Sequence, residues 1–215
     1  MTKLFLDVLD SPQQKLWEKL GALSKNSCVL AGGTAIALQI GHRISEDFDL
    51  FVPEIVSRVT REKAYGLIDR IERVPINDNH QLTILSRTGL KLTVVSHPYP
   101  PLYKLIKTDG LPLFDLRDLA SNKANIIGRR GTWRDYVDLY FLLKEKIVIL
   151  DQIMKEAKVR FKEEFDPRRF LDQLTYTKDL GDFNIQFVRG SVTQAKISRF
   201  LVGLVKKFNL VKIVI

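Results

Sequence analysis

The spacing of apolar residues changes character along this chain. Up to about residue 113, helical and strand patterns alternate. In SPQQKLWEKLGALSK, Leu16, Leu20 and Leu23 recur on one helical face, with Ser11 as the expected N-cap and Pro12 at the first helical position. SCVLA has the pattern of a short strand, and GTAIALQI that of a helix which Gly41 can end. DFDLFV reads as a strand and VSRVTREKAYGLIDRIE as an amphipathic helix. QLTILSR and KLTVVSH read as two strands joined around Thr88 and Gly89. Three prolines in HPYPPLY then interrupt the pattern.

Beyond Leu113 the strand signals mostly stop. DLRDLASNKANIIG and TWRDYVDLYFLLKEK are helical, separated by RRG, with Asp115 and Thr132 as candidate caps. LDQIMKEAKVRFKEE, DPRRFLDQL and SVTQAKISRFLVGLVKKF continue the helical series. The expected fold is therefore α/β (α+β): a small mixed sheet flanked by helices over residues 1–113, then a basic helical bundle over 114–215.

Charge sharpens this division. Residues 1–118 hold 15 Lys+Arg against 14 Asp+Glu, whereas residues 119–215 hold 19 against 11. A near-neutral first part and a strongly basic second part suit a polyanion bound through the second, although solubility alone can also use such an excess. No apolar run reaches the roughly 20 residues a membrane span needs, and acids interrupt the N-terminal MTKLFLDVLD, so the expected location is the cytoplasm. The one cysteine, Cys28, lies in an apolar stretch and excludes an internal disulfide or a cysteine zinc cluster. His42, His80 and His97 lack metal-site spacing, and His42 reads as an exposed loop residue.

The chemistry concentrates in VLAGGTAIALQIGHRISEDFDLF. Glycines between a strand and a helix let a ligand approach the backbone amides of the first helical turn, a setting that suits phosphate. Asp47 and Asp49, two apart on a strand, point to one face, where paired carboxylates repel unless a cation joins them. Hard oxygen ligands suit Mg²⁺, with Mn²⁺ as an alternative, and such an ion bridges readily to substrate phosphates. Taken alone, the glycine pair is an ordinary tight turn, and the acids are equally an ordinary solvated strand end. Together, at the two ends of one helix-length segment, they can face a single nucleotide triphosphate.

GGTAIALQIGHRISEDFDLF resembles the first motif of the AbiEii/AbiGii toxin family of nucleotidyltransferases, within the polymerase-β-like superfamily. LRDLASNKANIIGRRGTWRDYVDLYFLL resembles the family's downstream motif. The resemblance implies a nucleotidyltransferase domain followed by a helical one, Mg²⁺-dependent transfer of a nucleotide from an NTP, and a toxin with a separate antitoxin protein. Some members modify tRNA acceptor ends, and phage defence is a further setting. Carried over, it assigns Gly32, Gly33 and Thr34 to the triphosphate, Arg43 and Ser45 to bracing the loop before the acids, and Asp47 and Asp49 to the metal. Lys123 matches the motif lysine that neutralises phosphate charge, Arg129 and Arg130 can bind phosphates, and Asp135 and Asp138 match an acidic pair at i and i+3. A solvated basic turn and a salt bridge to Lys123, Arg130 or Arg134 are the structural alternatives. Trp133 and Tyr136 could stack on a base, with helix packing the favoured role.

One departure stands out. The strand position where many superfamily members carry a third metal-binding acid aligns with Thr93, which brings neither charge nor a useful base. The leading expectation is NMP transfer to RNA, with tRNA favoured. The alternatives are transfer to a small molecule such as an aminoglycoside, a catalytically silent nucleotide- or RNA-binding module, and an acidic partner docked on the basic half.

Overall fold

The computed structural model describes residues 3–129 and 131–208. It divides into two compact units, Met1–Asp115 and Leu116–Ile215.

The first unit is built on five strands: β1 (Val29–Ala31), β2 (Asp47–Val52), β3 (Ile71–Asn77), β4 (Gln81–Ser86) and β5 (Lys91–Ser96). Their order across the sheet is β1-β2-β5-β4-β3. Only the central β2–β5 pair is parallel, and the chain returns to it through a helix and the β3–β4 hairpin. Along β2 burial alternates, with Phe48, Leu50 and Val52 buried and Asp47, Asp49 and Phe51 half-buried. Period-2 alternation thus sends the apolar residues to the core and both acids to the other face. The core residues Leu30, Phe48, Leu50, Ile84, Leu92 and Val94 are completely buried. The free side of β1 is covered by the chain itself: Leu30 N donates to Pro112 O, and Phe114 N donates back to Leu30 O.

Three helices accompany the sheet: α1 (Ser11–Leu20), α2 (Gly32–Ile40) and α3 (Arg58–Leu67). The α1 cap is Asp10 rather than Ser11. Asp10 Oδ1 accepts from Gln13 N at 2.8 Å, and Gln13 Oε1 accepts from Asp10 N at 2.8 Å. A carboxylate with a glutamine at N3 closes a reciprocal capping box, which leaves Ser11 as the first helical residue. α2 ends where Gly41 takes φ +66°, in the left-handed region that glycine enters without strain. The helix expected to run through DRIE stops at Leu67, and Ile71–Asn77 is the edge strand β3. Its largely exposed side chains and Pro75 hid it in the sequence, since an edge strand need show neither alternation nor an unbroken row of donors.

The second unit is helical: α4 (Leu116–Arg129), α5 (Trp133–Lys144), α6 (Leu150–Phe161), α7 (Pro167–Thr175) and α8 (Gln194–Lys207). Buried Ala120, Ala124, Ile127, Tyr136, Ile153 and Phe170 form part of its core. Asp166 caps α7, its carboxylate accepting from Arg168 N and Arg169 N. Thr193 caps α8 through a bond from Lys196 N. Among the described residues no helix is long and apolar enough to cross a membrane.

Candidate functional site

In the first unit the glycine turn and the acid pair meet through the sheet register. β1 pairs antiparallel with β2 so that Ala31 lies opposite Asp49, and the chain enters α2 at the next residue. Gly32 has φ +64°, and a Cβ built on it would run into the Asp49 carboxylate, meeting Oδ2 inside contact and Cγ at 3.2 Å. Position 32 therefore needs glycine twice over: for its backbone angle and for the space occupied by an acid. The first-turn amides of α2, which have no acceptor within the helix, begin beside that acid.

Thr34 and Ser45 tie the two ends of the segment together. Thr34 is buried, its hydroxyl 2.7 Å from Ser45 Oγ and also donating to Asp47 O. That hydroxyl is turned inward, so what Thr34 offers a phosphate is its backbone in the first turn of α2. Ser45 N donates to Val8 O at 3.0 Å, and Arg43, also buried, donates from Nη1 to Ile44 O at 2.9 Å. These bonds anchor the loop from which Asp47 and Asp49 emerge. His42, expected on an exposed loop, is only 2% exposed; the turn after α2 lies against Phe5 and Val8 of the N-terminal segment.

On the neighbouring strand, Lys91 lies in register with Asp47 and Thr93 with Asp49. Thr93 thus stands in register beside Asp49, at the position the resemblance aligns with a third carboxylate. It is 7% exposed, with its Oγ1 3.5 Å from Thr83 Oγ1. Lys91 Nζ reaches Asp47 Oδ2 at 3.3 Å. The sequence reading missed Lys91, although a lysine two residues before Thr93 on an alternating strand was the available signal. Among the described residues no three His, Cys, Asp or Glu side chains gather into a metal-binding group. Two carboxylates on one face fit a hard divalent ion that draws its remaining ligands from water and substrate, the habit of Mg²⁺.

In the second unit Lys123 joins α4 to α5. Its Nζ lies 2.8 Å from Asp135 Oδ1 and 2.8 Å from Asp138 Oδ2, with Lys123 5% exposed and Asp138 fully buried. Asp135 Oδ2 accepts from Thr132 N and Thr132 Oγ1, each at 2.9 Å, so one carboxylate both caps α5 and holds the lysine. One ammonium thus bridges two acids of α5. Arg160 on α6 was not anticipated. Its Nη1 lies 2.8 Å from Asp118 O, Ser121 Oγ and Asn122 Oδ1, fastening the turn of α4 just before Lys123. Burial pulls the guanidinium below its ordinary range, while Asp118 and Glu156 act in the other direction.

The remaining expected residues fall in different settings. Arg129 Nη2 pairs with Glu164 Oε2 at 2.7 Å on a half-exposed surface, and Arg130 lies outside the described residues. Trp133 and Tyr136 are buried, packing against each other and, for Trp133, edge-on to Phe183. Tyr136 donates its hydroxyl to Gln173 O at 2.7 Å, and burial raises its pKa well above the usual phenol range. Both serve helix packing.

A protein of Aquifex aeolicus, uncharacterised and designated aq_aa25, is 30% identical over 179 residues, covering 80% of this chain and 84% of its own. Among solved structures, JHP933 from Helicobacter pylori superposes with a TM-score of 0.57 at 17% identity, covering 90% of this chain and 89% of that one. MenT4, a nucleotidyltransferase toxin of Mycobacterium tuberculosis, superposes with a TM-score of 0.58 at 14% identity, covering 94% and 88% respectively. These two likenesses show the nucleotidyltransferase fold. The family described as nucleotidyl transferase AbiEii toxin, type IV toxin–antitoxin system, matches residues 19–207, and the chain belongs to that family of nucleotidyltransferases.

Proposed function

We propose that this nucleotidyltransferase moves NMP from an NTP to RNA, with tRNA as the favoured acceptor, and uses a divalent cation held by Asp47 and Asp49. Its setting is the toxin of a toxin–antitoxin pair, with phage defence as the biological use and an antitoxin protein as partner. The observation that carries the reading is the closure of the Gly32 turn onto the Asp49 carboxylate. It brings helix-N-terminal amides and a metal-type acid pair to the same strand ends.

Each group has a task within this reading. The first-turn backbone of Gly32, Gly33 and Thr34 receives phosphate oxygens. Thr34, Arg43 and Ser45 keep the loop and both acids in position. Asp47 and Asp49 would hold Mg²⁺ or Mn²⁺, which would supply positive charge against the phosphates during transfer. In the second unit, Lys123, held by Asp135 and Asp138, is the motif lysine that the family resemblance assigns to phosphate charge, while Arg129 and Arg130 favour phosphate binding on the basic half.

The RNA acceptor is supported by the excess of 19 Lys+Arg over 11 Asp+Glu in residues 119–215. Binding through phosphates releases counterions, so affinity for pooled tRNA should fall steeply and log-linearly between about 50 and 200 mM salt. Filter binding across that series is the test. Undetectable or salt-indifferent binding would remove RNA and favour a small-molecule acceptor.

A further inference from the structure

Four side chains share one face of two adjacent strands at the acid pair. Asp47 and Asp49 come from β2, and their register partners Lys91 and Thr93 from β5. Within this set the position beside Asp49 is uncharged and the position beside Asp47 is cationic. Lys91 Nζ stands 3.3 Å from Asp47 Oδ2, with the two side chains 38% and 31% exposed. A pair this open to solvent can exchange partners when a stronger cation arrives. While the ammonium is there, a bound cation would have to share Asp47 Oδ2 with it. Thr93 supplies no further carboxylate.

We propose that Lys91 is a working part of the nucleotide site. Its ammonium takes the electrostatic place of a second metal ion, and the Asp47–Asp49 pair loads a single divalent cation. This rests on the reading of Asp47 and Asp49 as the metal pair. Without nucleotide, Lys91 competes with the divalent ion for Asp47, since like charges a few ångströms apart repel strongly even at a protein surface. With nucleotide, the ammonium turns to the polyphosphate and adds to its binding. Lys91 therefore acts with opposite sign on the two ligands: it weakens binding of the bare ion and strengthens binding of the nucleotide. A residue that merely held β5 against β2 would weaken both when removed.

The test uses Mn²⁺ alone, counted by the loss of free-ion electron paramagnetic resonance signal, and separately each of the four α-³²P-labelled NTPs in equilibrium dialysis with Mg²⁺. Wild type should bind one Mn²⁺ per chain. Lys91→Met should bind one Mn²⁺ about tenfold more tightly yet hold the NTP about tenfold more weakly. Lys91→Arg, which keeps the charge, should behave as wild type. Lys91→Met with Thr93→Asp should bind two Mn²⁺. Two ions on wild type, or Mn²⁺ and NTP affinities that fall together or stay unchanged in Lys91→Met, would overturn the proposal. Failure of the underlying reading looks different: Asp47→Ala would then bind Mn²⁺ as well as wild type does.

Discussion

A methyl group on Gly32 would meet the Asp49 carboxylate, and that contact ties backbone conformation to chemistry at a single residue. Gly32→Ala should destabilise the fold by about 1–3 kcal/mol, because φ +64° is strained for alanine. It should also push Asp49 aside and weaken Mn²⁺ binding. Urea denaturation and metal titration of the same preparation check both effects, and an unaltered metal affinity would separate the turn from the acids. Cys28 carries a pH-dependent counterpart. Burial pushes its thiol up to about 12 from an ordinary 9.0, with Lys63 opposing. A raised folded-state pKa adds stability that is full below the unfolded value and is lost as pH rises through the folded one. Stability should therefore decline from about pH 9 towards 12, and less so in Cys28→Ala. Denaturation midpoints measured across that range are the check. At this scale the sequence showed the acids and glycines, because spacing alone places them. It could not show Lys91 on Asp47, because that pairing depends on the β2–β5 register between residues 44 positions apart.

Among the elements, the α4–α5 pair depends most on charge. Lys123 stands between two largely buried carboxylates, so Lys123→Ala removes the ammonium that Asp135 and Asp138 share. Breaking one partner out of a buried ion cluster costs about 3–5 kcal/mol. Adding Asp138→Asn should restore part of that loss by removing one uncompensated charge. Thermal or urea melts of the single and double variants make the comparison. An equal loss in both would mean that Lys123 acts through packing rather than charge. Activity lost in Lys123→Ala alone is therefore not a measure of catalysis, since the same change loosens two helices. The i, i+3 spacing of Asp135 and Asp138 on one face was legible in the sequence. The clamp by Arg160, contributed from a helix nearly 40 residues later, was not. β3 was missed for a related reason: an exposed edge strand with a proline resembles a helix tail until its partner β4 is known.

At the scale of the whole molecule, the change in apolar period near residue 113 and the shift in charge balance separated a sheet-containing region from a helical one. The family match over residues 19–207 runs through both. What the sequence could not supply was tertiary register, and register is what sets Thr93 beside Asp49 and Lys91 beside Asp47. The central claim is that the acid pair and the glycine turn form a centre that transfers nucleotide to RNA. It is tested most directly by incubating the protein with pooled tRNA, Mg²⁺ and each α-³²P-labelled NTP in turn. Wild type should label tRNA from at least one NTP, chelation of the metal should stop labelling, and Asp47→Asn or Asp49→Asn should reduce it by about 10²–10³ or more while the melting transition stays cooperative. Labelling that persists in both Asn variants, or wild-type protein that labels no tRNA from any of the four nucleotides, would contradict it.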